Sequence, residues 1–162
     1  MTTTTQSSDE QIDSERQLID DIIEAVEGGI ELEGYLTGRD SGHYHAEMLD
    51  AVRCGLRVGN YVVARSSGAT HMEVLDAKTM GMNLHAYANA RRFGATHCRL
   101  VEAYDLRISI QDYLCCVANG ASHDELIEAH SRGISPRSYG IFRGRGIDHM
   151  TALGLLGKAP GT

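Results

Sequence analysis

The chain has 162 residues, 42% of them apolar, with eighteen Gly, two Pro, no Trp and 6% aromatics. This is enough for one domain with a real core or for a stack of small units, and it is too apolar for a chain disordered throughout. The net charge of -7 divides unevenly: residues 1–41 hold eleven acids and two bases, and residues 42–162 hold eleven acids and thirteen bases. Apolar runs are only a few residues long, which excludes a helical membrane span.

The opening stretch, "MTTTTQSSDEQ", has no basic residue and no apolar core, so residues 1–10 are read as a disordered tail and not as a signal peptide. Next, "SERQLIDDIIEAVEGG" sets Leu18, Ile22, Ile23 and Val26 at helical spacing. That spacing predicts an acidic helix with one docked face, the start of a leading hairpin over residues 11–41.

From there the chain repeats itself with a period of 26 residues and no gap. Gly42, Gly68, Gly94, Gly120 and Gly146 fall in register, and three residues after them come His45, His71, His97, His123 and His149. Tyr35, Tyr61, Tyr87, Tyr113 and Tyr139 keep the same interval. Each unit halves again, because glycine recurs every 13 residues, with Arg107 alone breaking the series. Two residues after most of these positions stands a helix-capping residue: Thr70, Asn83, Thr96, Ser109, Ser122, Ser135 or Asp148. Glu73 and Glu125 complete capping boxes, and Pro136 suits a first helical position.

The pattern predicts cap, about ten helical residues, a glycine stop, one apolar residue, and the next cap. Val74, Leu75 and the Lys78 stem are expected on the apolar face of one helix, and Leu84, Tyr87, Ala88 and Arg91 on that of the next. The fold class is therefore all-α: a short α-solenoid of about five 26-residue hairpins plus a terminal capping helix. Residues 42–145 form four tandem hairpins, and residues 146–162 the capping helix and tail. The four cysteines show no paired framework and read as reduced, mostly buried thiols of a cytoplasmic protein.

Tandem units such as "GATHMEVLDA" and "GMNLHAYANAR" resemble helical-repeat proteins common in actinobacteria and their bacteriophages, mostly uncharacterised. The resemblance covers roughly residues 29–150 and implies an α-helical array of phage or actinobacterial origin, with no activity attached. Tyr44 at a cap position, Arg99 at a capping Glu position and Arg107 at a Gly position depart from the pattern.

Three ladders are candidates for function. Successive histidines of a stacked array stand a helix-packing distance apart, roughly 8–10 Å, whereas zinc ligands converge within about 2 Å of one ion. The His ladder is therefore read as packed or hydrogen-bonded architecture, and no cofactor or metal is expected. His43 with His45, and His97 with Cys98, are the only local pairs that could begin a metal site. The tyrosines read as core, with a nucleobase-stacking ladder as the alternative. Arg39, Arg65, Arg91 and Arg143 complement helix C-termini or, alternatively, track a phosphate backbone.

No phosphate loop, nucleophile elbow or paired-carboxylate site is present, which points away from an enzyme. By elimination the sequence predicts a binding scaffold for a partner protein, in a phage setting a host protein. The candidate partner-binding residues are Arg65, Arg91, Arg92, Arg143, Lys78, Tyr104 and His130. A nucleic-acid-binding array and self-assembly through the C-terminal helix are the alternatives.

Overall fold

The computed structural model describes residues 6–157, which are helical throughout and contain no strand. The leading helices are α1 (Gln6–Glu27) and α2 (Leu32–Asp40). Nine helices of eight or nine residues follow: α3 (His45–Arg53), α4 (Val58–Arg65), α5 (His71–Thr79), α6 (Leu84–Arg92), α7 (His97–Asp105), α8 (Ile110–Ala118), α9 (His123–Ser131), α10 (Pro136–Gly144) and α11 (His149–Leu156). The five histidines of the ladder are the first residues of α3, α5, α7, α9 and α11.

Glycine stops each helix as its spacing requires. Nine glycines of the 13-residue series adopt φ between 75° and 88°, and Arg107 takes the same left-handed conformation at φ 65°. At Gly133 the motif is complete: Gly133 N–H donates to His130 O at 2.9 Å and Ile134 N–H to Ala129 O at 3.1 Å. These two bonds satisfy carbonyls that the helix end leaves open. Arg107 and Ile108 make the same pair of bonds, so the backbone geometry survives the loss of glycine. The apolar residue after most stops is buried, as with Ile30, Leu56, Ile108 and Ile134, while Ile147 is half-buried.

Starts follow the sequence closely. Thr70, Asn83, Thr96, Ser109, Ser122 and Asp148 accept from first-turn N–H groups, and the capping boxes at Glu73 and Glu125 are both formed. Thr96 still accepts from Arg99 N–H, so losing the Glu costs only one half of the box. Ser135 is the exception: its side chain makes no capping bond, and Pro136 behind it already removes one orphan donor. Tyr44 caps nothing and is exposed.

The buried stripes differ from expectation in register. On α5 the buried residues are Val74 and Ala77, while Leu75 is half-buried and Lys78 exposed. The same two slots are buried on α7 (Leu100, Ala103) and α9 (Leu126, Ala129). On α6 the buried set is Leu84, Ala86, Tyr87, Ala88 and Ala90, and Arg91 is half-buried.

The expected docked face of α1 is also corrected. Asp21, Ile22 and Ala25 turn inward, whereas Leu18, Ile23 and Val26 are exposed. Moreover, α1 already runs from Gln6, so residues 6–10 of the expected tail are helical, with Gln11→Glu15 and Gln17→Asp21 hydrogen bonds supporting the helix from its side. Residues 1–5 of that tail, and 158–162 of the expected C-terminal tail, lie outside the described residues.

The chain divides after Val62 into two compact units. In the first, α1 packs on α2 and α3, and α2 on α3. In the second, the main packing runs along alternate helices, α6 on α8 and α8 on α10. Small residues allow this: a Cβ on Gly140 would stand only 3.2 Å from the sulfurs of Cys115 and Cys116. The intervening helices α5, α7 and α9 attach to this row more sparsely, each through its hairpin partner. No described helix is long and apolar enough to cross a membrane.

Candidate functional site

The ladders of His and Tyr meet. Each tyrosine lies mid-way along the second helix of a hairpin, and Tyr35, Tyr61, Tyr87, Tyr113 and Tyr139 are all 0–1% exposed. Ten residues later, past the glycine stop, a histidine opens the next helix. Tyr35, Tyr87, Tyr113 and Tyr139 thereby bring their hydroxyls to Nδ1 of His45, His97, His123 and His149 at 3.0, 3.0, 3.2 and 2.7 Å. The rings pack edge-on or tilted, with centroids 5.7–5.9 Å apart.

Nε2 of the same histidines reaches a carboxylate on the first helix of the tyrosine's own hairpin. The partners are Glu24, Asp76, Glu102 and Glu128, at 3.3, 3.0, 3.1 and 3.0 Å. One hairpin thus supplies a phenol and an acid, and the following hairpin supplies the imidazole between them. With a neutral ring the proton assignment is forced. A carboxylate only accepts, so Nε2 carries the hydrogen, and the bare Nδ1 accepts from the tyrosine hydroxyl. In each triplet the phenol hydrogen and the imidazole hydrogen then both have an acceptor.

Burial holds the phenols of Tyr87 and Tyr139 up to about 12 and pushes those of Tyr35 and Tyr113 upward as well. The hydrogen bond from His149 is the main cause holding the Glu128 carboxyl below its usual range. A phenol so resistant to ionisation, with no surface to offer a substrate, is a poor nucleophile. The arrangement bolts hairpin to hairpin. His45, His97, His123 and His149 are thus hydrogen-bonded across the hairpin boundary.

The arginine ladder turns inward as well. Arg91 Nη2 donates to Gly68 O at 2.8 Å and faces Glu73 at 3.5 Å, with 14% of its side chain exposed. Arg143 donates to Ile147 O and Gly120 O at 3.1 and 3.2 Å and faces Glu125 at 3.4 Å. Arg65 reaches Ala69 O at 2.7 Å, and Arg39 pairs with Asp21 at 3.6 Å. Guanidinium groups so placed tie the helix end and the neighbouring turn together.

Among the other candidates, Arg92 and Lys78 are exposed. His130 Nε2 lies 3.0 Å from Leu106 O, and half-buried Tyr104 holds its hydroxyl beside the Gly81 turn, 3.6 Å from where a Cβ would sit. The seven candidates are therefore not gathered into one patch by any contact described. Among the described residues no three His, Cys, Asp or Glu side chains converge on a point that could hold an ion. The thiols also need correction: Cys54 and Cys98 are exposed, and only Cys116 is buried, where burial lifts it to about 12 and it donates to Pro136 O at 3.0 Å.

One surface feature was invisible in the sequence. Asp76, His97, Cys98, Val101, Glu102, Asp105 and Leu106 line an open groove of about 540 Å³ along α7. Along it the His97–Asp76 bond joins α7 to α5. Its lining is mostly apolar, with Leu106 40% exposed, and includes three carboxylates. No protein family, curated protein or solved structure matches the chain.

Proposed function

We propose that the chain is a helical-repeat binding scaffold whose recognition surface for a partner protein is the groove along α7. The observation that carries this reading is the contrast between frame and groove. The repeated Tyr, His and Arg side chains described above are bonded to neighbouring hairpins or turns. Val101, Asp105 and Leu106 face an open space instead, beside Asp76 and Glu102, the carboxylates that also hold His97 and His123. Such a groove takes an apolar anchor flanked by cations, the usual anatomy of a small protein–protein hot spot. The same acids repel phosphate, and Arg91 and Arg143 are turned toward backbone carbonyls, which favours a protein partner over nucleic acid.

Affinity capture from a lysate of the source cells, comparing the parent with Asp105→Lys and Leu106→Ser, tests the reading. A protein retained by the parent and lost with both variants is the expected result. Retention that ignores both variants overturns it, as does tight binding to single- or double-stranded nucleic acid with a steep salt dependence.

A further inference from the structure

The N-terminal hairpin exposes apolar residues at repeat slots that later hairpins largely bury. In the later hairpins, the first residue of the second helix and the residue four places on face the second helix of the hairpin before. Val58 on α4 stands against Gly34 on α2, where an added Cβ would be 3.7 Å from its own, and Gly140 on α10 lies against Cys115 and Cys116 on α8. Val58 and Ile110 are accordingly 7% and 3% exposed. The residues in those slots on α2 are Leu32 and Leu36, and they are 47% and 39% exposed. On α1, Ile19 occupies the slot that holds histidine in the later units and is 56% exposed, with Ile23 at 50%.

The surroundings of this face are one-signed. Helix α1 carries eight acids and a single base, and α2 adds Glu33 and Asp40. Arg39, the one cation of α2, is already paired with Asp21. Apolar residues of this size left in water are the mark of an interaction surface, and their acidic border states the partner's charge. A second copy presenting the same face would bring like charge against like.

We infer that Ile19, Ile23, Leu32 and Leu36 form a docking face for a basic amphipathic helix of a partner protein. That helix takes the place a preceding hairpin's second helix occupies elsewhere. Its apolar stripe covers the four residues, and lysines or arginines along its flanks meet the acids of α1 and α2. This inference does not rest on the groove of α7 and goes beyond it.

The test uses the full chain and a fluorescent synthetic Leu/Lys amphipathic helix, with a scrambled peptide of identical composition as control. The amphipathic peptide is expected to bind, more weakly as salt rises, and the scrambled one on the order of tenfold less tightly. Leu32→Ser/Leu36→Ser should weaken binding on the order of tenfold, with helix content unchanged in circular dichroism because both residues lie at the surface. Asp105→Lys should bind as the parent does. The inference is overturned by equal binding of the scrambled peptide, by indifference to the double variant, or by loss of binding in Asp105→Lys, which would seat the peptide in the groove. It is also overturned if the chain alone sediments as a dimer that the double variant dissolves.

Discussion

Ile110 of α8 and Leu32 of α2 fill the same slot of the repeat, yet one is 3% exposed and the other 47%. His123 and Ile19 likewise share a slot: His123 is clasped between Tyr113 and Glu102, and Ile19 lies in water. The slot decides only which way a side chain points; the hairpin before it decides whether that direction is core or surface. In an array of short helices, burial is a property of neighbours, and the same slot is core in one hairpin and surface in another.

Alkali should expose the contrast most strongly, since it acts on every sealed tyrosine at once. The phenols of Tyr87 and Tyr139 stand at about 12 in the folded chain, against an ordinary 10.0. Their contribution to stability is therefore fully present below pH 10.0 and is lost as the pH climbs toward 12, because the unfolded chain releases those protons first. Phenolate absorbance and loss of helix should rise together through that window. Phenolate formation completed with the helices intact would mean the interior phenols are open to solvent.

Single truncations come next. Leu100→Ala removes a side chain that is 0% exposed and should cost about 2–5 kcal/mol in chemical denaturation. Leu32→Ala, at 47% exposure, should cost less than about 1 kcal/mol. Equal costs would show the leading face to be covered after all.

Below the cost of the Leu100 truncation comes the loss of one clasp. His123→Ala leaves the Tyr113 hydroxyl, on a residue 1% exposed, without its partner and should destabilise by about 1–3 kcal/mol. Tyr113→Phe in the same background should restore part of that loss, since it removes the orphaned group; a further loss would argue that the bond is not what holds the site.

The smallest effect is a gain. Arg107 is the one non-glycine residue at positive φ among the described residues, and Arg107→Gly should relieve strain and stabilise by about 0.5–1 kcal/mol. A melting temperature that falls instead would assign the arginine side chain a contact worth more than the strain.

Helix boundaries were legible because punctuation is local: a glycine that needs positive φ and a hydroxyl two residues on act within one turn. The histidine–acid bonds were legible too, in hindsight. Acids recur at 24, 50, 76, 102 and 128, always 21 residues before a ladder histidine. Arginines at the helix ends offered those acids an equally plausible partner. The facing of each helix was harder to read. Leu75 and Lys78 looked as well placed as Val74, because a nine-residue helix completes too few turns for its spacing to fix a narrow stripe. The apolar residues of α1 show the deeper limit, since periodicity reports a greasy face and is silent on whether anything covers it. The groove along α7 depends on how far apart two helices are held, which no single repeat encodes.

The bonds between hairpins have one more consequence. Each runs forward by ten residues, from tyrosine to histidine, or back by 21, from histidine to acid. Excising residues 94–119 would carry Tyr87 to His123 at the same interval and Asp76 to His123 at the other. The joint is written in intervals that survive removal or duplication of a whole hairpin, so such an array can change length in 26-residue steps without a new kind of bond.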